Sequence, residues 1–207
     1  IQKGTGTIVI TPATLTVTTP SASKAYDGEA LTAEGKVSGF VAGESATLVT
    51  TGSQALVGTS DNTYELSWDD NAKAANYEIV ENIGTLEVTQ SQAAIVIVPQ
   101  GASKTYDGTP LEAAGYDVYG LPAGFTLTAV VKGAQTNVGG SYAEVDSYVI
   151  ENAAGEDVTD QFANVSFGKA TLSVAKRPVT ITSADATQVY NGTELTAHEA
   201  TVTAGEG

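Results

Sequence analysis

Apolar and polar residues alternate in short runs along most of this chain. Ala13-Thr14-Leu15-Thr16-Val17-Thr18 and Thr171-Leu172-Ser173-Val174 set an aliphatic residue at every second position, with Thr or Ser between. A period of two sends successive side chains to opposite faces of a strand, so these runs predict sheets with one buried and one wetted face. Gly, Asn and Asp punctuate the runs and mark the turns between strands. Two stretches break the pattern. Asp69 to Tyr77 and Asp157 to Phe162 each place an Asp before a short run ending in an aromatic, which predicts one or two helical turns with Tyr77 or Phe162 packed inward.

The alternation is periodic on a longer scale. An alternating strand, a polar stretch, then Tyr-Asp-Gly or Tyr-Asn-Gly followed by Leu occurs three times. Leu15-Thr16-Val17 precedes Tyr26-Asp27-Gly28 and Leu31; Ile95-Val96-Ile97 precedes Tyr106-Asp107-Gly108 and Leu111; Val179-Thr180-Ile181 precedes Tyr190-Asn191-Gly192 and Leu195. The tyrosines are separated by 80 and then 84 residues. Gly39, Gly52, Gln54, Val57 and Gly58 return as Gly120, Gly133, Gln135, Val138 and Gly139, each 81 positions later. A second phrase, Thr7-Ile8-Val9-Ile10, Thr85-Leu86-Glu87-Val88 and Thr171-Leu172-Ser173-Val174, stands shortly before the next opening strand and reads as a closing strand.

The register divides the chain into a closing strand of a preceding unit at 1–11, repeat unit 1 at 12–89, repeat unit 2 at 90–175 and an incomplete repeat unit 3 at 176–207. A permuted register, in which the closing-type strand opens each unit, fits the same spacing. The expected fold class is all-β with a short helical turn per unit, as tandem small β-sandwich or β-grasp-like domains arranged end to end. Within each phrase the Gly supplies a positive φ for a tight turn, and the preceding Tyr is expected to pin the turn by burying its ring. Tyr26, Asp27, Gly28, Tyr106, Asp107, Gly108, Tyr190, Asn191 and Gly192 are thus structural motif residues.

Composition adds constraints. Twenty-four acidic against nine basic residues give a formal net charge of −15. Neutralising phosphates requires clustered Lys and Arg, so nucleic acid and anionic membrane surfaces are poor partners. The absence of Cys excludes disulfides, thiolate catalysis and Cys-ligated zinc. No apolar run is long enough to cross a bilayer as a helix. The first residue, Ile1, and the closing Gly205-Glu206-Gly207 look like the ends of a segment of something longer.

Catalytic chemistry finds little footing. His198 is the single histidine, has no counterpart in the other units and is expected at the surface, which rules out multi-histidine metal sites. Asp69 with Asp70, or Glu156 with Asp157, are the carboxylate pairs available for glycosidic chemistry, yet sequence neighbours point apart and neither pair recurs. Asp157 with Asp160, or Asp61 with Asn62, are the oxygens available to Ca²⁺. No run matches a calcium loop, so solvated acidic loops and no cofactor are expected. A Lys-to-Asn amide crosslink would need an Asn shared by the equivalent Lys24 and Lys104, and no aligned Asn is present; Gln188 replaces the lysine in the third copy. Edge-strand lysines that discourage sheet-to-sheet association are the plainer reading.

Taken together, Tyr-Asp-Gly, the Val-Gly turn and the closing Gly-Thr-Leu-Glu-Val strand resemble the Tyr-Asp-Gly type, or MBG type, repeat domains of large bacterial surface proteins and adhesins. The resemblance implies extracellular β domains carried between a cell-wall anchor and a binding tip. On that basis the segment is expected to be a monomeric, non-enzymatic stalk whose partners are the neighbouring repeats. The short connectors Thr89-Gln90-Ser91-Gln92 and Ala175-Lys176-Arg177-Pro178 would limit bending. The alternative is that the repeats bind host glycans or mucin through Trp68, Tyr116, Tyr119, Tyr142 and Tyr148. The third copy departs from the pattern at Gln188 and Asn191.

Overall fold

A computed structural model describes residues 5–205. They form nineteen strands, with two 3₁₀ turns at Ala74–Asn76 and Thr159–Gln161. The protein is thus all-β. Two compact units are distinguished, Ile1–Ala93 with Asn152–Asn164, and Ala94–Glu151 with Val165–Gly207.

The first unit contains β1 (Ala13–Thr18), β2 (Ala22–Ala25), β3 (Lys36–Ser38), β4 (Ala46–Thr50), β5 (Gly58–Asp61), β6 (Tyr64–Trp68), β7 (Tyr77–Asn82) and β8 (Thr85–Thr89). The opening strand β1 lies between antiparallel β3 and parallel β7, with Leu15 opposite Ile79. The closing strand β8 lies between parallel β2 and antiparallel β5. β4 and β6, with β5 between them in the chain, pair antiparallel. Both central strands alternate as their sequences dictate: Leu15 and Val17 of β1, and Leu86 and Val88 of β8, are buried, and the intervening residues face outward. Burying an aliphatic side chain of this size contributes about 1.5–3 kcal/mol relative to leaving it exposed, so these four carry much of the first core.

The second unit repeats the plan with β9 (Ile95–Pro99), β10 (Ala102–Thr105), β11 (Leu111–Glu112), β12 (Tyr116–Tyr119), β13 (Thr126–Lys132), β14 (Ala134–Gln135), β15 (Gly139–Glu151), β16 (Val165–Phe167) and β17 (Ala170–Ala175). β9 sits between antiparallel β12 and parallel β16, and β17 between parallel β10 and antiparallel β15. Ile95, Ile97, Leu172 and Val174 are the buried equivalents of the first core. One difference is that β15 runs unbroken through the positions shared by β5 and β6 and crosses from β17 to pair also with β13, with a register shift between Val130 and Val131.

The recurring glycines have a steric explanation. Gly39 and Gly120 have φ of +106° and +75°, and a Cβ there would collide with the carbonyl oxygen of Thr14 in β1 or of Ala94, the residue just before Ile95. Gln54 and Gln135 recur because each side chain donates to a carbonyl two residues on, Leu56 at 2.8 Å and Asn137 at 2.6 Å.

Two expected elements differ. Thr7-Ile8-Val9-Ile10 forms no strand; Ile8, Val9 and Ile10 are exposed. A closing strand is held by neighbours equivalent to β2 and β5, and no such pair flanks it among the described residues. In the third repeat, β18 (Val179–Ser183) and β19 (Ala200–Ala204) pair antiparallel, as β1 pairs β3, but every one of their residues is exposed. Partners equivalent to β7 and β8 are not found beside them among the described residues. Ile1 to Gly4 of the expected first strand lie outside the described residues.

Candidate functional site

The Tyr-Asp-Gly phrase is the recurrent polar constellation of this molecule. In the first copy β2 ends where the Tyr26 N–H donates to the Thr89 carbonyl at 2.8 Å, and in the second Tyr106 N–H donates to Ala175 at 2.9 Å. The chain then turns on Gly28, Gly108 and Gly192, whose φ values are +89°, +86° and +75°. Only glycine adopts this region without steric cost.

A short cross-link organises each turn. Lys24 Nζ donates to Asp27 Oδ1 at 2.7 Å, and the same oxygen accepts the Glu29 N–H. Lys104 Nζ donates to Asp107 Oδ1 at 2.7 Å and also to the carbonyl and hydroxyl oxygens of Thr109, while Asp107 Oδ1 accepts the Thr109 N–H. In the third copy Gln188 Nε2 donates to Asn191 Oδ1 at 2.6 Å, which in turn accepts the Thr193 N–H. The two departures noted in the sequence are therefore coupled: cation and anion are both replaced by amides, and the bond between them survives. The lysine hydrogen bond, followed by the Glu29 N–H, holds the Asp27 carboxyl below the usual carboxylate range. Lys104 does the same to Asp107, aided by Thr109.

The tyrosines fare unequally. Tyr26 is 4% exposed, Tyr106 38% and Tyr190 92%. Tyr26 meets the edge of Phe162, with ring centroids 5.9 Å apart at 90°. Burial, with Glu156 and Asp27 adding negative charge, raises the Tyr26 phenol above its ordinary value. Ring burial thus holds for Tyr26 and not for Tyr190, beside which no closing strand is found among the described residues.

The aromatics considered for sugar binding divide in the same way. Trp68 packs with Phe40 and Tyr77, and Tyr148 packs against Phe167 with the rings tilted by 59°. Tyr116 donates to the Leu127 carbonyl at 3.4 Å. Tyr119 is exposed, and Tyr142, 63% exposed, borders a shallow depression with Glu112, Lys132 and Glu144. Glu144 is held below its ordinary range by Lys169, which donates to it at 2.5 Å.

Three of the acidic candidates, Asp69, Glu156 and Asp157, serve local structure. Asp69 accepts from the Ser45 hydroxyl, Glu156 accepts from Asn152 Nδ2 at 2.9 Å, and Asp157 Oδ1 accepts the N–H and hydroxyl of Thr159 at the head of the second 3₁₀ turn. Asn62 is fully buried and donates to the Pro20 and Ala33 carbonyls at 3.0 and 2.9 Å. Its place beside Asp61 in the sequence suggests no more than a calcium oxygen and hides its role as a core clasp; the signal for that role is Gly52, where a Cβ would strike Asn62. His198 is exposed. Among the described residues no group of three or more His, Cys, Asp or Glu is arranged to hold a metal ion, and no helix is long and apolar enough to cross a membrane.

Residues 15–87 match the family model described as MBG domain (YGX type). No curated protein and no solved structure shows significant similarity to the chain. The matched span runs from Leu15 in the opening strand to Glu87 in the closing strand, so over the first repeat this chain is similar to an MBG domain of the YGX type.

Proposed function

We propose that this chain is a non-catalytic repeat segment of a bacterial surface protein, acting as a spacer that holds a binding region away from the cell. The observation that carries the reading is the reuse of one plan: β1, β2, β3, β7 and β8 return as β9, β10, β12, β16 and β17 with the same pairing partners and the same buried positions. A protein selected for a single reaction needs one site; a spacer gains length with each added globule. The first repeat's similarity to a domain type found in surface proteins supports placement outside the cell. The −15 charge suits a soluble, repulsive surface that resists self-association, and a monomer is expected.

A glycan array and a mucin-coated surface probed with the 207-residue chain test the reading. Signals at background level, with a monomer mass by light scattering, are the expected result. Saturable binding would replace the spacer by the second reading, a glycan-binding module. That reading draws on Tyr142, whose exposed ring beside Glu112, Lys132 and Glu144 provides a stacking face next to hydrogen-bonding groups. Tyr142→Ala would then abolish the signal.

A further inference from the structure

Asn152–Asn164 comes from the second repeat in sequence, yet it belongs to the first compact unit. Its attachment there has three parts. Phe162 lies edge-on to Tyr26. The backbone of the connector after β8 is bridged, with Ser91 N–H donating to the Gln161 carbonyl at 2.8 Å and Ala163 N–H donating to the Ser91 carbonyl at 3.0 Å. Side chains add Gln161 Oε1 accepting the Val57 N–H at 2.6 Å, and Gln90 Nε2 donating to the Asp160 carbonyl at 2.8 Å. Tyr26, Ser91, Val158 and Phe162 are all buried.

The segment is also internally organised. Asn152 Oδ1 accepts the N–H groups of Ala154 and Glu156, and Asp157 secures the 3₁₀ turn that aims Phe162. Such bracing lowers the entropy lost when the segment seats. The first repeat's own turn behaves differently: Tyr77, which follows the turn as Phe162 does, packs on Phe40 and Trp68 and donates to Glu44 at 2.6 Å. Tyr106, the counterpart of Tyr26, remains 38% exposed.

We propose that Asn152–Asn164 is a donated clamp: its Phe162 and Gln161 complete the Tyr-Asp-Gly end of the first repeat, so that the first repeat reaches full stability only with this segment of the second. The partner surface is formed by Tyr26, Val57 and the Gln90–Ser91 backbone, and its ligand is a braced 3₁₀ turn carrying an acceptor amide followed by an aromatic. This inference does not depend on the spacer reading.

Trp68, the single tryptophan, lies in the first unit and reports its unfolding by fluorescence. In the full chain, Phe162→Ala should lower the urea midpoint read at Trp68. Tyr26→Ala should do likewise, and the double variant should lose less than the sum. Phe167→Ala, which removes the ring packed against Tyr148 in the second unit, should leave the Trp68 transition in place. An unchanged Trp68 midpoint in Phe162→Ala overturns the proposal, as does an equal shift in Phe167→Ala. If Phe162→Ala fails to fold, Gln161→Ala with hydrogen exchange decides: the Val57 amide should be protected in the unaltered chain and exchange about two- to tenfold faster in the variant. A Val57 amide that exchanges equally fast in both sinks the clamp.

Discussion

At the residue scale the two ionic turns respond to pH and the neutral one does not. Asp27 and Asp107 have folded-state pKa values below those of unfolded carboxylates. Their contribution to stability is therefore present above the unfolded value, about 4, and is lost as the pH falls through the lowered folded values. Carboxyl-carbon NMR should show both still ionised when exposed carboxylates are half protonated, and Lys104→Gln should raise the Asp107 midpoint. Co-titration of Asp27 and Asp107 with the bulk carboxylates would count against the lysine links. Asn191 contributes no such pH dependence, since an amide does not titrate. Tyr64 works at the other end of the scale. Burial and the hydrogen bond to Glu81 push its phenol up to about 12, so the stability it lends is full below about 10 and falls away as the pH rises through 12. The last phase of a tyrosinate absorbance titration should disappear in Tyr64→Phe. Asn62 is a third case. Asn62→Ala leaves the Pro20 and Ala33 carbonyls without their donor and should cost about 1–3 kcal/mol in denaturant unfolding.

At the element scale, period-two alternation made the strands legible because burial in β1, β8, β9 and β17 follows the pleat directly. The two 3₁₀ turns were legible from an Asp followed by a short run and an aromatic. What was not legible was where each aromatic goes. Tyr77 and Phe162 share a local signature, but Tyr77 enters its own repeat and Phe162 meets Tyr26; the destination depends on neighbours distant in sequence. The pairing of opening strand with β7 or β16 is parallel and equally distant, so hairpin signals do not reveal it. Recurring glycines were visible, yet their spacing does not separate tight from open sites. Gly39 abuts the Thr14 carbonyl, whereas Gly43, with φ of +88°, faces open space. Gly43→Ala should therefore cost only the left-handed penalty of about 1–2 kcal/mol, and Gly39→Ala should cost more because β1 must also shift. Thermal melts of the two variants check the order.

At the scale of the whole molecule the governing fact is an excess of negative charge spread over small cores. Among the described residues, ion pairs link Lys24, Lys104, Lys132 and Lys169 to Asp27, Asp107, Asp146 and Glu144, and with nine basic against 24 acidic side chains most carboxylates have no cation to pair with one to one. A folded chain gathers those charges more closely than an unfolded one, so their repulsion opposes folding, while salt screens it over a Debye length of about 10 Å at 0.1 M. The apparent melting temperature should thus rise when sodium chloride is raised from low ionic strength, against the direction expected if exposed ion pairs dominated. Calcium chloride at matched ionic strength distinguishes screening from binding. Acidic side chains in the candidate loops are engaged in local turns, as Asp157 is with Thr159 and Glu156 with Asn152, and a chelating loop would have to dismantle these bonds. Equal shifts in the two salts are therefore expected. A larger, saturable rise with calcium would mean that these carboxylates gather around a cation, and the acidic loops would have to be reassigned from solvated turns to a metal site.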